Sequence, residues 1–180
     1  LESILIHSFG WAVDPYISNT IRTVISKGFD YKVVPAVQTS QFFDPGYITQ
    51  SIGFMYNNIP NITTRLGIGF QETITNKFTG YADDPETVEI EKFRFDTGIE
   101  SVTEAIYNIE ENVLLGSKLR LFTRFNSLDV WDVRWDNLIT AQISKYFNVN
   151  FNVLLIYEKQ QSPKTQLKEA LQFGITYTLF

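Results

Sequence analysis

The 180-residue chain has no cysteine, one histidine and one methionine. Without thiols, neither a disulfide framework nor a thiolate metal site can form. A single imidazole, His7, excludes multi-histidine metal centres and any mechanism that needs two imidazoles. No apolar run approaches the roughly 20 residues of a membrane-spanning helix, which leaves spanning strands of about 9–11 residues as the only route across a bilayer. There is no phosphate-binding glycine loop and no basic-aromatic stripe, and a formal net charge of −5 argues against nucleic acid as a partner. The chain starts at Leu1 without an initiator methionine, basic n-region or apolar h-region, so any secretory signal is expected to lie outside this sequence.

Apolar residues make up 44% of the chain and aromatics 15%, and they alternate with polar ones almost throughout. No segment sustains the i, i+3, i+4, i+7 spacing of a helix, so the chain is predicted to be an all-β, antiparallel single domain over 1–180. Turn residues delimit nine strands: Ser3–Ala12, Tyr16–Ser26, Tyr47–Tyr56, Ile62–Ile74, Lys92–Tyr107, Val113–Phe125, Trp131–Tyr146, Val149–Tyr157 and Gln166–Leu179. Asp30 to Val37 could add a short strand, although Pro35 weakens it. Short links (Val13 to Pro15, Asn57 to Asn61, Asn108 to Asn112, Phe147-Asn148) alternate with Lys27 to Gly46, Thr75 to Glu91, Asn126 to Val130 and Glu158 to Thr165, of which the first two are long. Short turns at one end and longer loops at the other are the habit of outer-membrane β-barrels, whose short turns face the periplasm.

The last strand ends on Tyr177 and Phe180, an aromatic terminus of the kind that serves bacterial outer-membrane barrels as an insertion signal. With that end in the periplasm, Ser3–Ala12 runs downward. An even strand number then requires at least one more strand before Leu1, giving an expected transmembrane barrel of ten to fourteen strands with about nine present here.

Over the last five strands one face is apolar, with Phe93, Phe95, Leu119, Leu121, Trp131, Trp135, Phe151 and Leu155. The other carries Arg94, Asp96, Glu100, Lys118, Arg120, Arg124, Asp132, Arg134 and Asp136, and is expected to line a lumen as a charge ladder. If residues in one hairpin sum to about 220 and in the next to about 256, Glu100 faces Arg120 and Asp96 faces Arg124. Arg120 and Arg124 then face Asp136 and Asp132 in turn. Glycines on the polar faces (Gly53, Gly67, Gly69, Gly98, Gly116 and Gly174) suit a crowded, curved inner wall. Aromatics near the strand ends form two expected girdles, Trp11, Tyr56, Tyr107, Tyr146 and Tyr177 at one rim, and Tyr47, Phe70, Phe93, Phe125, Trp131 and Tyr157 at the other.

Catalytic chemistry is sparse. His7 and Ser8 invite comparison with a lipid-facing hydrolase, but neighbours on a strand point to opposite faces. Most candidate acids have an arginine opposite; Glu104, facing Gly116, is the exception. Asp83, Asp84, Glu86 and Glu89 form an acidic loop whose spacing matches no Ca²⁺ motif. No catalytic residue, metal or cofactor is expected.

From about Glu91 onward, four stretches resemble an uncharacterised outer-membrane β-barrel family of Bacteroidota-type bacteria: Phe93 to Gly98, Leu115 to Phe122, Asp132 to Asn137 and Pro163 to Leu171. Phe42 to Tyr47, followed by Thr49 to Ser51, looks like that family's surface loop. The likeness implies an outer-membrane address and no established activity. The expected role is a non-enzymatic passive channel or transport barrel, with Arg94, Arg120, Arg124 and Arg134 attracting anionic solutes. The alternative is an occluded scaffold barrel whose loops bind an outer-membrane protein partner; an outer-membrane hydrolase comes third. Expected surroundings are outer-membrane lipid and lipopolysaccharide, reached through the barrel-insertion machinery.

Overall fold

The computed structural model describes residues 1–84, 87–159 and 164–175. Eleven strands are present among them: β1 Glu2–Ile6, β2 Asp14–Thr23, β3 Gly28–Asp30, β4 Val37–Ser40, β5 Gly46–Ile59, β6 Ile62–Ile74, β7 Phe93–Glu110, β8 Val113–Arg124, β9 Ser127–Gln142, β10 Phe147–Tyr157 and β11 Gln166–Ile175. The sole helical segment among the described residues is a single 3₁₀ turn at Thr79–Tyr81. Nine strands make one antiparallel sheet in the order β1-β2-β5-β6-β7-β8-β9-β10-β11, while β3 and β4 pair separately. β1 and β11 are edges that do not pair with each other, so the sheet is not closed.

Period-two alternation explains why these segments are strands, and where they stop follows from local turn chemistry. Pro60-Asn61 reverses the chain between β5 and β6, with Asn61 at φ 65, a left-handed conformation that asparagine tolerates better than most side chains. Between β7 and β8 the ladder runs down to Glu110 and Val113, with an irregularity between Asn108 and Glu110.

Several boundaries differ from expectation. β1 ends at Ile6, so His7 and Ser8 lie beyond it in an exposed connection, and strand alternation does not govern them. No single strand spans Asp30 to Val37; these two residues close the β3–β4 hairpin and 31–36 form its turn. β8 and β9 are joined through Phe125-Asn126 alone, and the link from β1 to β2 is longer than expected, so the loop asymmetry rests on 24–45 and 75–92. The expected terminal signal, Tyr177 and Phe180, lies outside the described residues.

The sheet curls towards its polar face. Neighbouring strands lie about 4.8 Å apart, so in a flat sheet β1 and β8 would be about 24 Å apart and β2 and β10 about 29 Å. Instead Glu2 on β1 reaches both Arg65 on β6 and Lys118 on β8, and Arg22 on β2 reaches Glu158 just past β10 at 3.2 Å. Curvature is permitted where Gly53 and Gly67 face each other across β5 and β6: an added Cβ would stand 2.1 Å from the Leu66 carbonyl oxygen or 2.3 Å from that of Ile52. Beside them the Phe122 ring lies over Gly69, where a Cβ would be 3.1 Å away.

What the concave face buries is mostly polar: Ser18, Thr49, Ser51, Arg65, Gln71, Asp96, Glu100, Arg124 and Asp132 accompany Tyr16, Tyr47, Met55, Val102 and Phe122. The convex face is apolar and exposed. Leu5, Ile17, Ile52, Ile68 and Ile99 line up across five strands, and Leu119, Trp135, Leu155 and Leu167 across four. Trp11, Tyr56, Tyr107 and Tyr146 are exposed at the short-turn end, and Phe93, Phe125 and Trp131 towards the other. Tyr47 departs from its expected girdle position, being buried inside beneath the Arg22 guanidinium.

Gly53→Val places a branched side chain against backbone that cannot step aside. It is expected to lower unfolding free energy by about 1–3 kcal/mol or more, as overpacking does. Gly116→Val, whose Cβ would meet only the Leu138 carbonyl oxygen at 3.9 Å, should change it by less than about 0.5 kcal/mol. Denaturant midpoints of the two variants check this.

Candidate functional site

On β7, β8 and β9 the even-numbered residues point into the concavity, which brings all nine expected ladder residues to one inner wall. Their partners, however, are shifted. β7 and β8 pair two residues out from the expected register, so Glu100 stands opposite Phe122 and Arg120 opposite Val102. β8 and β9 shift the other way, so Lys118 faces Asp136 and Arg120 faces Arg134. Long side chains nevertheless restore several expected contacts along diagonals, which are within reach of arginine.

Arg124 lies between two carboxylates as expected, with Nε 3.1 Å from Asp96 Oδ2 and Nη2 2.9 Å from Asp132 Oδ2. The Nε contact is one of charge, because that N–H has no aligned acceptor. Arg94 donates from Nε to the same Asp96 oxygen at 2.9 Å. Arg120 donates to Glu100 at 2.6 Å and to Gln71 at 3.3 Å, and its expected partner Asp136 instead accepts from Asn152 Nδ2 at 2.6 Å. The two guanidiniums of Arg120 and Arg124 flank Phe122, at 5.4 and 5.6 Å from its ring centroid. Phe122 is fully buried, so it packs the middle of the wall with an apolar, cation-binding face.

A second cluster had no counterpart in the expected ladder. Arg65 on β6, only 3% exposed, donates to Glu2 at 2.8 Å and to Glu104 at 3.0 Å. Lys118 completes the group by pairing with Glu2 and with Glu104. Glu104 therefore faces Lys118 rather than Gly116. Tyr16 lies beneath Arg65, with its hydroxyl near Ser51, and Ser51 shares a 2.7 Å hydrogen bond with Ser18. Four strands, β1, β6, β7 and β8, are thus tied through one network. The signal that could have revealed it is parity: inward positions are odd on β5 and β6 and even on β7 to β11, because the β6–β7 register pairs residues of opposite parity. Alternation examined only in the last five strands passes over Arg65.

Cavities remain along the inner wall, and two of them share lining residues. One, about 120 Å³, lies among Glu2, Arg65, Glu100, Lys118, Arg120, Arg134 and Asp136; a wider one, about 490 Å³, opens at the long-loop end among Ser40, Tyr81, Glu158, Gln166 and Lys168. Arg22, Tyr47 and Arg134 line both.

Elsewhere the chemistry is thin. Among the described residues, no group of three or more His, Asp or Glu side chains is placed to hold a metal ion. His7 packs edge-on against Phe9 at 4.4 Å, and Phe9 stacks on Trp11. In the acidic loop, Asp83 accepts from the Glu91 N–H, while Glu91 accepts from the Asp84 N–H and the Thr87 hydroxyl. The Asp84 N–H and Thr87 hydroxyl hold the Glu91 carboxyl below the usual carboxylate range. Comparison with known family models, with curated proteins and with solved structures finds no match.

Arg65→Met leaves Glu2 and Glu104 with a single cation between them. Breaking a buried charge network of this kind is expected to cost about 3–5 kcal/mol. In a double-mutant cycle with Glu2→Gln, denaturant unfolding should return a coupling of about 1 kcal/mol or more; additive losses would show that the contact carries no energy.

Proposed function

We propose that the chain forms the wall of a transmembrane β-barrel of the outer-membrane type, with its apolar face on lipid and its interior closed by ion-paired side chains. The observation that carries this reading is the inversion of sides: buried arginines, carboxylates and hydroxyls within, and rows of isoleucine, leucine and tryptophan without. Monomeric soluble proteins rarely expose contiguous apolar patches beyond a few hundred Å². Lipid, by contrast, solvates such a face while charged groups line the inside.

Exposed aromatics towards both strand ends fit interfacial belts. The short turns and the chain end would then face the periplasm of a bacterial outer membrane, with the long segments 24–45 and 75–92 outside. The role that follows is a non-enzymatic scaffold or receptor barrel, whose long loops and vestibule meet a partner protein or solute.

Closure is favoured over free passage by burial at the waist. Phe122 and Arg65 would be wet in an open pore, yet they are 0% and 3% exposed. The passive channel is the second reading, favoured by the two cavities that share Arg22, Tyr47 and Arg134.

All three tryptophans, Trp11, Trp131 and Trp135, are exposed. In single-tryptophan variants refolded into vesicles, brominated acyl chains should quench Trp135 most strongly with deep bromines, and Trp11 and Trp131 with shallow ones. A monodisperse protein without detergent and without quenching would overturn the membrane reading. Planar bilayers should show no steady conductance; ohmic current would replace the closed barrel with the channel.

A further inference from the structure

Arg134 has no counter-charge that matches it. Directly across the β8–β9 ladder stands another guanidinium, Arg120, and the opposing residue on β10 is Ile156. Among the described residues no carboxylate comes within ion-pair distance of Arg134. Its same-face neighbour Asp136 is engaged by Asn152, Arg120 holds Glu100, and Arg22 holds Glu158. The charges acting on Arg134 are Arg22 and Arg120, which repel it, and Asp136 and Glu158, which attract it. Arg22 and Arg134 line both cavities and Arg120 the smaller one, with Lys168 on the wall of the wider one.

Opposed like charges on neighbouring strands destabilise a sheet. In a chain whose net charge is −5, a cationic surplus gathered around an interior cavity stands against the overall balance. A cavity of about 490 Å³ is also of the size that takes a small molecule. Around it, Ser40, Tyr81 and Gln166 supply side-chain groups able to hydrogen-bond a solute.

We propose that Arg134, with Arg22 and Arg120, forms a binding site for a small multivalent oxyanion, a phosphate ester or polycarboxylate, that enters through the long-loop end of the barrel. A planar guanidinium offers paired donors that match the oxygens of such a group, and a bound dianion relieves the repulsion among the three arginines. The site faces the concave interior, so its ligand is a free solute rather than a lipid headgroup on the convex side. This inference rests on the closed-barrel reading for the route of entry.

Calorimetric titration of sodium pyrophosphate into the detergent-solubilised protein at fixed ionic strength tests it, together with thermal melts. Pyrophosphate should bind and raise the melting temperature, whereas sodium chloride of matched ionic strength should not. Arg134→Gln should weaken pyrophosphate binding at least tenfold and, freed of the like-charge contact, melt no lower than the parent without ligand. Arg134→Lys, which keeps the charge but not the fork, should retain part of the affinity, and Lys145→Gln at the opposite end should leave it unchanged. Unaltered affinity in Arg134→Gln, an equal response to chloride, or a lower unliganded melting temperature would each overturn the site by marking Arg134 as structural. Where tryptophan quenching succeeds and pyrophosphate fails, the barrel stands and the site falls; where quenching fails, the barrel reading falls irrespective of pyrophosphate binding.

Discussion

Turning the polar face inward obliges every interior charge to find a partner across the sheet, and the rest of the structure follows from that constraint. A buried guanidinium left alone would carry a desolvation penalty of several kcal/mol, whereas one ringed by carboxylates is tolerated. Arg65 meets Glu2 and Glu104, and Arg124 meets Asp96 and Asp132. The Arg124 cluster spans the neighbouring strands β7, β8 and β9, whereas the Arg65 cluster, which takes in Glu2, holds only if the sheet is curled. Glu2 in particular ties an edge strand to the middle of the sheet, a contact that no flat arrangement permits.

Curvature in turn depends on missing side chains. Where Gly53 and Gly67 meet, backbone approaches into the space a Cβ would take, and Tyr16 settles against the same gap. Gly69 leaves room for the Phe122 ring, which fills the waist and receives the two arginines on its faces. Small residues, one large aromatic and paired charges thus act as a unit. The glycines let the wall bend, the ring occupies the space within, and the ion pairs hold opposite parts of the wall together. At the mouth the compensation is incomplete, and among the described residues Arg134 has no carboxylate within ion-pair distance.

Much of this was legible in the alternation alone. The nine strands of the main sheet lie within a few residues of expectation at most boundaries, and Arg94, Asp96, Glu100, Lys118, Arg120, Arg124, Asp132, Arg134 and Asp136 share one face, as their alternation implies. Their pairs differ from expectation by two residues in each hairpin; β7 runs on to Glu110 rather than stopping at Tyr107, with an irregularity between Asn108 and Glu110. A slip of two preserves every side chain's face and changes only its neighbour. That is why ladder membership survived while Arg120 exchanged an expected aspartate for Arg134. The β3–β4 hairpin leaves no mark in the alternation, because its strands are too short to show a period.

Sequence by itself therefore determined which residues share a face, since strand periodicity is a local property of the chain. Tertiary structure alone decided which face is concave, that Glu2 meets Lys118, that Tyr47 lies inside, and that the edges β1 and β11 remain apart. Each of those depends on how far the whole sheet bends. Bending is the sum of small twists and glycine-permitted close approaches over nine strands, and no single stretch of sequence records that sum.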